Sequence, residues 1–318
     1  MEYYFAPLEG ITGYLYRNAH HAFFPSMDRY YTPFITPKKG KSFTSREKND
    51  VLPAHNAGIH VVPQILTNQA EGFLKVAEQL KEMGYREVNL NLGCPSGTVV
   101  AKKKGAGFLA FPEELDAFLE QIFKGCDLQI SVKTRIGKED PEEFGPLLRI
   151  FNQYPLERLI IHPRVQTDYY KNTPNREAFA RALAESKNPV CYNGDLFSDK
   201  KIREFTERFP ETDCMMLGRG LLVNPGLVEK VRNGAAPDPG KIHAFMERLA
   251  ADYGEVLSGE RDVLFKMKEL WFYLGHLFPE GEKYLKKIRK AQRMTEYRAA
   301  VSAIFGECRM AEAENFIF

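Results

Sequence analysis

The run Val88-Asn-Leu-Asn-Leu-Gly-Cys-Pro-Ser96 ends an apolar stretch abruptly in a glycine, a cysteine and a proline. It reads as a short buried strand that empties into a tight turn, with nothing bulky at Gly93 to cover Cys94. A thiol displayed this way can donate a proton, because an ordinary cysteine, with a pKa of ~8.5, is mostly protonated at neutral pH. Taken alone, Cys94 reads first as a small buried hydrophobe, as free cysteines usually do. Its company favours chemistry: Gln64, Asn91, Lys133, Arg135, His162, Arg164, Asn193, Gly194, Asp195, Gly218 and Arg219 all fall at or just past the ends of short apolar runs. Lys133 closes the run Ile130-Ser-Val-Lys133, where burial is costly unless something anionic faces it. Gly194, Gly218 and Gly220 allow close backbone approach, and Arg219 offers a forked donor for phosphate oxygens. A phosphorylated ligand is therefore expected between the last two runs, met by the amides of a short helix begun at Asn224-Pro-Gly226.

These groups need elements to hold them. Strands are expected at Tyr3–Pro7, Tyr30–Ile35, Val61–Ile65, Val88–Asn91, Leu128–Lys133, Arg158–Ile161, Val190–Tyr192 and Cys214–Leu217. Between them Ala70, Phe73, Leu74, Ala77, Leu80 and Met83 recur at helical spacing, with Thr67 or Asn68 as cap and Gly84 as the end. Further helices are expected at Pro112–Phe123, Pro141–Gln153, Arg176–Glu185 and Asp199–Phe209, the last entered from Ser198. Continuous apolar strands alternating with amphipathic helices predict a parallel sheet, and eight such units close into an α/β fold, the (β/α)8 TIM barrel. An open doubly wound sheet is disfavoured, since no Gly-x-Gly-x-x-Gly follows the first strand. In a barrel the reacting groups gather at the carboxyl ends of strands, which is where the polar groups above lie.

After Leu227 the pattern changes. A catalytic barrel domain is expected over 1–233, a linker of turn formers over 234–240, and an all-α helical bundle over 241–318 with helices Lys241–Leu257, Arg261–Phe278 and Glu282–Phe305. From Lys283 to Arg298 seven basic residues stand against one acidic residue, and Lys283, Lys286, Lys287, Lys290 and Arg293 share a helical face. In isolation this is a solvated face, and only beside a site that takes nucleic acid would it serve as a phosphate track. Trp271 reads as core of the helical region, though a nearby Tyr or Phe could meet a base. His20 and His21 are adjacent and would diverge on a helix, and the five cysteines form no Cys-x-x-Cys pair, so no metal is expected. The net charge of +2 gives no global pull toward nucleic acid. Lacking a leader-like start and any run of roughly 18 apolar residues, the chain is expected to be cytoplasmic, monomeric and without a membrane partner.

In order and spacing, these residues resemble the tRNA-dihydrouridine synthases, flavin-mononucleotide (FMN) enzymes built on a (β/α)8 barrel followed by a helical domain. The likeness runs from Phe5-Ala-Pro-Leu-Glu-Gly-Ile-Thr12 to the end of the chain. It is densest in Asn89-Leu-Asn-Leu-Gly-Cys-Pro95, Val132-Lys-Thr-Arg-Ile-Gly137, His162-Pro-Arg164, Asn193-Gly-Asp195 and Leu217-Gly-Arg-Gly220. The resemblance implies that Ala6, Pro7, Gln64, Lys133, His162, Asn193, Gly194, Asp195, Gly218 and Arg219 hold FMN, that Cys94 is the proton donor, and that NADPH re-reduces the flavin. Asn91, Arg135, Arg164, Lys102, Lys103 and the basic face of Lys283, Lys286, Lys287, Lys290 and Arg293 are then expected on tRNA. Residue types alone leave His162 and Arg164 open between cofactor and substrate. The chain departs from the family's usual pattern at Leu8 (commonly Met), Gly13 (often Asp) and Val165 (commonly Thr), and its lysines after Cys-Pro arrive late, at 102–104. Two other readings stand beside this one. A barrel flavoenzyme on a free metabolite, of the dihydroorotate dehydrogenase type, is opposed by the basic helix; an RNA-binding relative without catalysis would be colourless.

Overall fold

A computed structural model describes residues 1–38 and 42–311, so residues 312–318 of the expected helical region lie outside the described residues. Nine parallel strand segments form one sheet: β1 Glu2–Phe5, β2 Arg29–Tyr31, β3 Val61–Val62, β4 Gln64–Ile65, β5 Glu87–Leu92, β6 Gln129–Arg135, β7 Leu159–His162, β8 Val190–Tyr192 and β9 Cys214–Leu217. Their order, β3-β2-β1-β9-β8-β7-β6-β5-β4, begins and ends on two halves of one strand. Proline has no N–H to give a ladder, and Pro63 divides the expected strand 61–65 so that β3 pairs with β2 and β4 with β5. The carbonyl of Pro63 still accepts from Asn89 N at 2.8 Å, which closes the ring. The fold is thus the expected eight-position barrel.

Alternation along the strands separates two cores. Tyr4, Ala6, Tyr31, Val62, Ile160, Cys191, Cys214 and Met216 pack inside the barrel, while the alternate residues, such as Phe5, Val88 and Leu90, face the helices. Packing therefore accounts for Cys191 and Cys214. At the amino end the barrel is floored by ion pairs, Arg29–Glu87 at 2.6 Å, Arg158–Glu2 at 2.9 Å and Arg158–Asp213 at 2.9 Å. From that floor a chain of hydrogen bonds climbs to the mouth. Ser131 Oγ donates to Glu87 (2.6 Å), Asn89 Nδ2 to Ser131 (2.9 Å), Gln64 Nε2 to Asn89 (2.7 Å) and Asn91 Nδ2 to Gln64 (2.7 Å). Satisfying each buried polar group by the next fixes the orientation of the uppermost, Asn91.

The surrounding helices follow their sequence signals closely. Arg176–Glu185 is capped by Asn175 and Asp199–Arg208 by Ser198, whose Oγ accepts from Lys201 N at 3.3 Å. Ser198→Ala should therefore lower unfolding free energy by about 1 kcal/mol, read as a shifted urea midpoint at unchanged slope. Two starts differ from expectation. The helix after β4 spans Ala70–Glu82, with Thr67 Oγ1 receiving Gln69 N, while Asn68 reaches away to the Lys102 carbonyl at 3.2 Å. The helix at 141 opens as a 3-10 turn before Phe144–Phe151.

Beyond the barrel lie helices Pro239–Val256, Glu260–Leu274, Glu282–Lys290 and Met294–Glu307. The first begins earlier than expected because Asp238 accepts from Gly240 N and Lys241 N. The expected helix 282–305 is broken at Ala291-Gln-Arg293: Lys268 Nζ takes the Ala291 carbonyl at 2.5 Å and Glu296 takes Gln292 N at 2.8 Å. Arg293 consequently stands at the start of the following helix, without a capping side-chain hydrogen bond, and leaves the basic face of Glu282–Lys290. Phe245 of the first helix seats edge-on against Tyr16 (5.6 Å) of helix Tyr14–Phe23 and against Phe24 (5.5 Å) just past its end, joining the helical region to the barrel. Trp271 is core, its Nε1 donating to Tyr297 OH at 2.8 Å.

Candidate active site at the barrel mouth

The carboxyl ends of the strands surround two adjoining chambers. One, of about 510 Å³, is lined by Ala6, Asn193, Gly194, Asp195, Gly218 and Arg219; the other, of about 1100 Å³, by Gln64, Asn91, Cys94, Arg135 and Tyr273. Pro7, Leu8, Lys133, His162 and Tyr170 line both. Every strand-end residue expected at a cofactor therefore lines the mouth.

Cys94 is placed by Asn91. The Asn91 Oδ1, fixed from below through Gln64, accepts from Gly93 N (3.0 Å) and Cys94 N (2.9 Å), forming the turn that presents the thiol. The chain then folds back so that Ala106 N meets the Cys94 carbonyl at 3.1 Å. That return needs Gly105, which sits at φ +55° and whose added Cβ would lie 2.8 Å from the Cys94 carbonyl oxygen. Burial pushes the Cys94 thiol up from its ordinary value, and the Glu9 carboxylate adds to this against Arg135 and Lys133. The group is a protonated thiol at neutral pH. Asn91 itself is committed to Gln64 and to the turn, so it positions the thiol as well as lining the chamber.

Three cations of the mouth have different duties. Lys133 makes no side-chain hydrogen bond or ion pair among the described residues, and burial, with Arg135 nearby, pushes it down to about 8. Arg135, expected on substrate, lines the chamber of Cys94 and also braces the loops around it: Nε donates to Gly93 O (3.1 Å), Nη1 to Val165 O (2.8 Å) and Nη2 to Tyr169 O (2.6 Å). Arg164, also expected on substrate, is almost wholly buried and spent on Asn172 O (2.5 Å), His162 Nε2 (2.9 Å) and both Asp195 oxygens (3.1 and 2.5 Å). Asp195 also accepts from Arg219 Nη2 at 2.6 Å, so its expected part at a cofactor passes through the two arginines that it orients.

A guanidinium only donates. His162 Nε2 must therefore accept from Arg164, which assigns the ring proton to Nδ1. Burial and the surrounding Arg135, Lys133, Arg164 and Arg219 hold this imidazole neutral. It is a fixed hydrogen-bond donor shared by both chambers. The short helix expected from Asn224-Pro-Gly226 is present as Leu227–Asn233, with Gly226 at its start and Asn224 Oδ1 accepting from Gly226 N at 3.1 Å. A further short helix not expected from sequence, Arg219–Val223, precedes it and opens directly at Gly218. Gly220 lets this helix lie against the Leu196 carbonyl, which an added Cβ would approach to 2.1 Å.

The dihydrouridine synthase (Dus) family matches residues 4–316, nearly the whole chain. The chain belongs to this family. It is 28% identical over 246 residues to a probable tRNA-dihydrouridine synthase of Staphylococcus aureus, covering 71% of this chain and 70% of that protein. It is 25% identical over 245 residues to tRNA-dihydrouridine synthase B of Pseudomonas aeruginosa, covering 73% and 72%. Among solved structures, histamine dehydrogenase from Rhizobium sp. 4-9 shares the fold, with a TM-score of 0.53 at 10% identity over 78% of this chain and 49% of that one. No helix among the described residues is long and apolar enough to cross a membrane.

Within the family frame, the departure at Gly13 has a physical account. Asp50 supplies the missing cap, its Oδ1 accepting from Tyr14 N at 2.7 Å, and a Cβ on residue 13 would approach that oxygen to 3.1 Å. Lys102 and Lys103 are exposed and do not line the chambers; Lys103 turns aside to Glu114 (3.4 Å) and over the Phe111 ring (3.9 Å). On Glu282–Lys290, Lys283, Lys286, Lys287 and Lys290 are all exposed, with Lys283 3.5 Å from Glu307. Tyr170 and Glu9 were not singled out from sequence. Tyr170 stands with its ring 4.3 Å from the Arg219 guanidinium, after a Tyr169 held at φ +51° by Arg135. Tyr273, next to Trp271, brings the helical region to the chamber of Cys94. No short-range pattern marks these residues, because loop folding and docking bring them in.

Proposed function

We propose that this chain reduces the C5=C6 bond of uridine in tRNA to 5,6-dihydrouridine, with FMN in the mouth and NADPH as reductant. The observation that carries the reading is a protonated, presented thiol in a chamber contiguous with one lined by cations and close-approach glycines. The fit to FMN is direct. Lys133 is a cation with no hydrogen-bond or ion-pair partner among the described residues, His162 offers a fixed Nδ1–H, Asn193 Nδ2 is taken by Met216 O (2.7 Å), and Arg219 flanks the glycine-lined end. Bound there, FMN supplies the hydride. Cys94 Sγ–H supplies the proton to the other carbon, and Lys133, which lines both chambers, would stabilise negative charge on the bound flavin. Residues 239–307 form the tRNA-binding part, with Lys286, Lys287 and Lys290 as a phosphate track. The test is a visible flavin band in the purified protein, together with appearance of dihydrouridine in tRNA and not in free uridine.

Two outcomes follow. The ammonium form of Lys133 is the one that binds an electron-rich edge, and in the apoprotein it is lost above about pH 8. Binding must then restore the proton, so apoprotein affinity for FMN should fall as pH rises through 8, by up to about tenfold per unit. Fluorescence titration of FMN from pH 7 to 10 reads this, and Lys133→Met should flatten it. Replacing Lys286, Lys287 and Lys290 together by Gln should weaken tRNA binding and reduce the slope of log K against log salt by about 2 to 3; an unchanged slope returns that helix to a solvated face.

A further inference from the structure

A third cavity, of about 1090 Å³, opens between the barrel and the helical region. Ile11 and Pro33 line both it and the chamber of Cys94, so the two adjoin across that ridge. Its barrel wall carries Tyr14, whose ring stacks on His55 at 4.4 Å and 15°, with Leu15, Asn49 and Asp50. Its far wall carries Tyr253 and Val256, the latter 52% exposed. Two cations stand on the rim. Arg46 pairs with Glu9 beside the catalytic chamber, and Lys266 donates to the Gly10 carbonyl at 2.7 Å, tying the helical region to the ridge. The buried carboxylate of Asp50 is engaged by Tyr14 N and lies 3.7 Å from Arg17, and Lys266 also lies 3.1 Å from Glu269, so each rim cation already has a carboxylate beside it.

We infer that this cavity receives the nucleobase adjacent, in the same strand, to the uridine being reduced. The inference rests on the function proposed above. A uridine in structured RNA must leave its stack to reach Cys94, which splays its neighbours across the mouth. A slot walled by tyrosine, leucine and valine, whose edge nearest the catalytic chamber holds the Arg46–Glu9 and Lys266–Glu269 pairs, suits a flat base whose linking phosphate competes with the two glutamates for Lys266 and Arg46. The slot thereby adds sequence or shape selection next to the reacting base, where the reaction chamber itself sees only uracil.

The experiment uses flavin-loaded protein and tRNA transcripts whose modified uridine has been mapped, carrying an abasic nucleotide on one or the other side of it. Wild-type protein should show about a tenfold rise in KM, and in Kd by fluorescence anisotropy, for one of the two abasic substrates, with kcat nearly unchanged. Val256→Trp, which fills the slot from an exposed position, should raise KM for intact tRNA similarly and abolish the abasic penalty, a non-additivity that general destabilisation would not produce. Val256→Glu, which brings like charge to the phosphate, provides the same comparison should tryptophan disturb folding. Indifference of wild type to both abasic sites, or an abasic penalty that persists undiminished in these variants, overturns the assignment while leaving uridine reduction standing. Absence of dihydrouridine in every substrate removes the function and the slot together.

Discussion

Cys94→Ala is expected to keep the flavin and its visible spectrum yet slow oxidation of the reduced enzyme by tRNA by about 10² to 10⁴-fold, the usual worth of a positioned general acid. The expectation combines three observations. The turn made by Asn91 Oδ1 fixes the backbone on which the thiol stands, and that turn survives loss of the sulfur because it uses only the amides of Gly93 and Cys94. Burial keeps the thiol protonated at neutral pH, so the donor is in its reactive form before the substrate arrives. Cys94 lines the chamber of Gln64 and Asn91 and not the narrower one of Gly218 and Arg219, so the substitution should leave flavin affinity within about threefold. Single-turnover absorbance at the flavin band, with excess tRNA, separates chemistry from binding. Turnover at the wild-type rate in Cys94→Ala would assign the proton to another donor. The same assay on Asn91→Ala, which removes the turn acceptor and keeps the thiol, should show a smaller loss that is not recovered by more tRNA.

The barrel was legible because its signals are local. Apolar runs such as Leu159-Ile-Ile161, ended by a polar residue and a proline at His162-Pro163, fix strand ends, and strand ends fix which polar residues can reach the mouth. What those residues do there depends on segments far away in sequence. Arg135 and Arg164 look like substrate ligands when only their strands are visible. Their donors are taken by carbonyls at 93, 165, 169 and 172 and by Asp195, and those partners arrive only once the loops after β5, β7 and β8 fold back. The basic helix shows the same limit. Its periodicity continues through 293, but Lys268 and Glu296 stabilise a break at Ala291-Gln292 that no count of charges reveals. Tyr273 reaches the catalytic chamber through the docking of a whole helix, and its own neighbours in sequence mark it only as part of an aromatic cluster.

Arg164→Met should produce the largest loss of stability among single substitutions of the mouth, about 3 kcal/mol, because it removes one partner of a buried ion pair and leaves the other behind. The Arg164 side chain is 2% exposed and that of Asp195 24%, which sets the figure at the lower end of the usual range for a broken buried pair. Asp195 would retain only Arg219, and the Asn172 carbonyl would lose its donor. Urea unfolding of the flavin-free protein at pH 7 measures the loss. The substitution also tests the role of His162. Without a guanidinium at Nε2, nothing holds the proton at Nδ1, so ¹⁵N shifts of the imidazole should move from the pattern of a single Nδ1–H tautomer toward a mixture, and FMN affinity should fall by about tenfold or more as the fixed donor is lost. Arg164→Lys should rescue little of either effect. One ammonium on a flexible stem carries three donors, whereas the guanidinium fork serves His162, Asn172 and both oxygens of Asp195 in one plane. A lysine variant with wild-type stability and a single His162 tautomer would show that charge alone, without the fork, organises this end of the mouth.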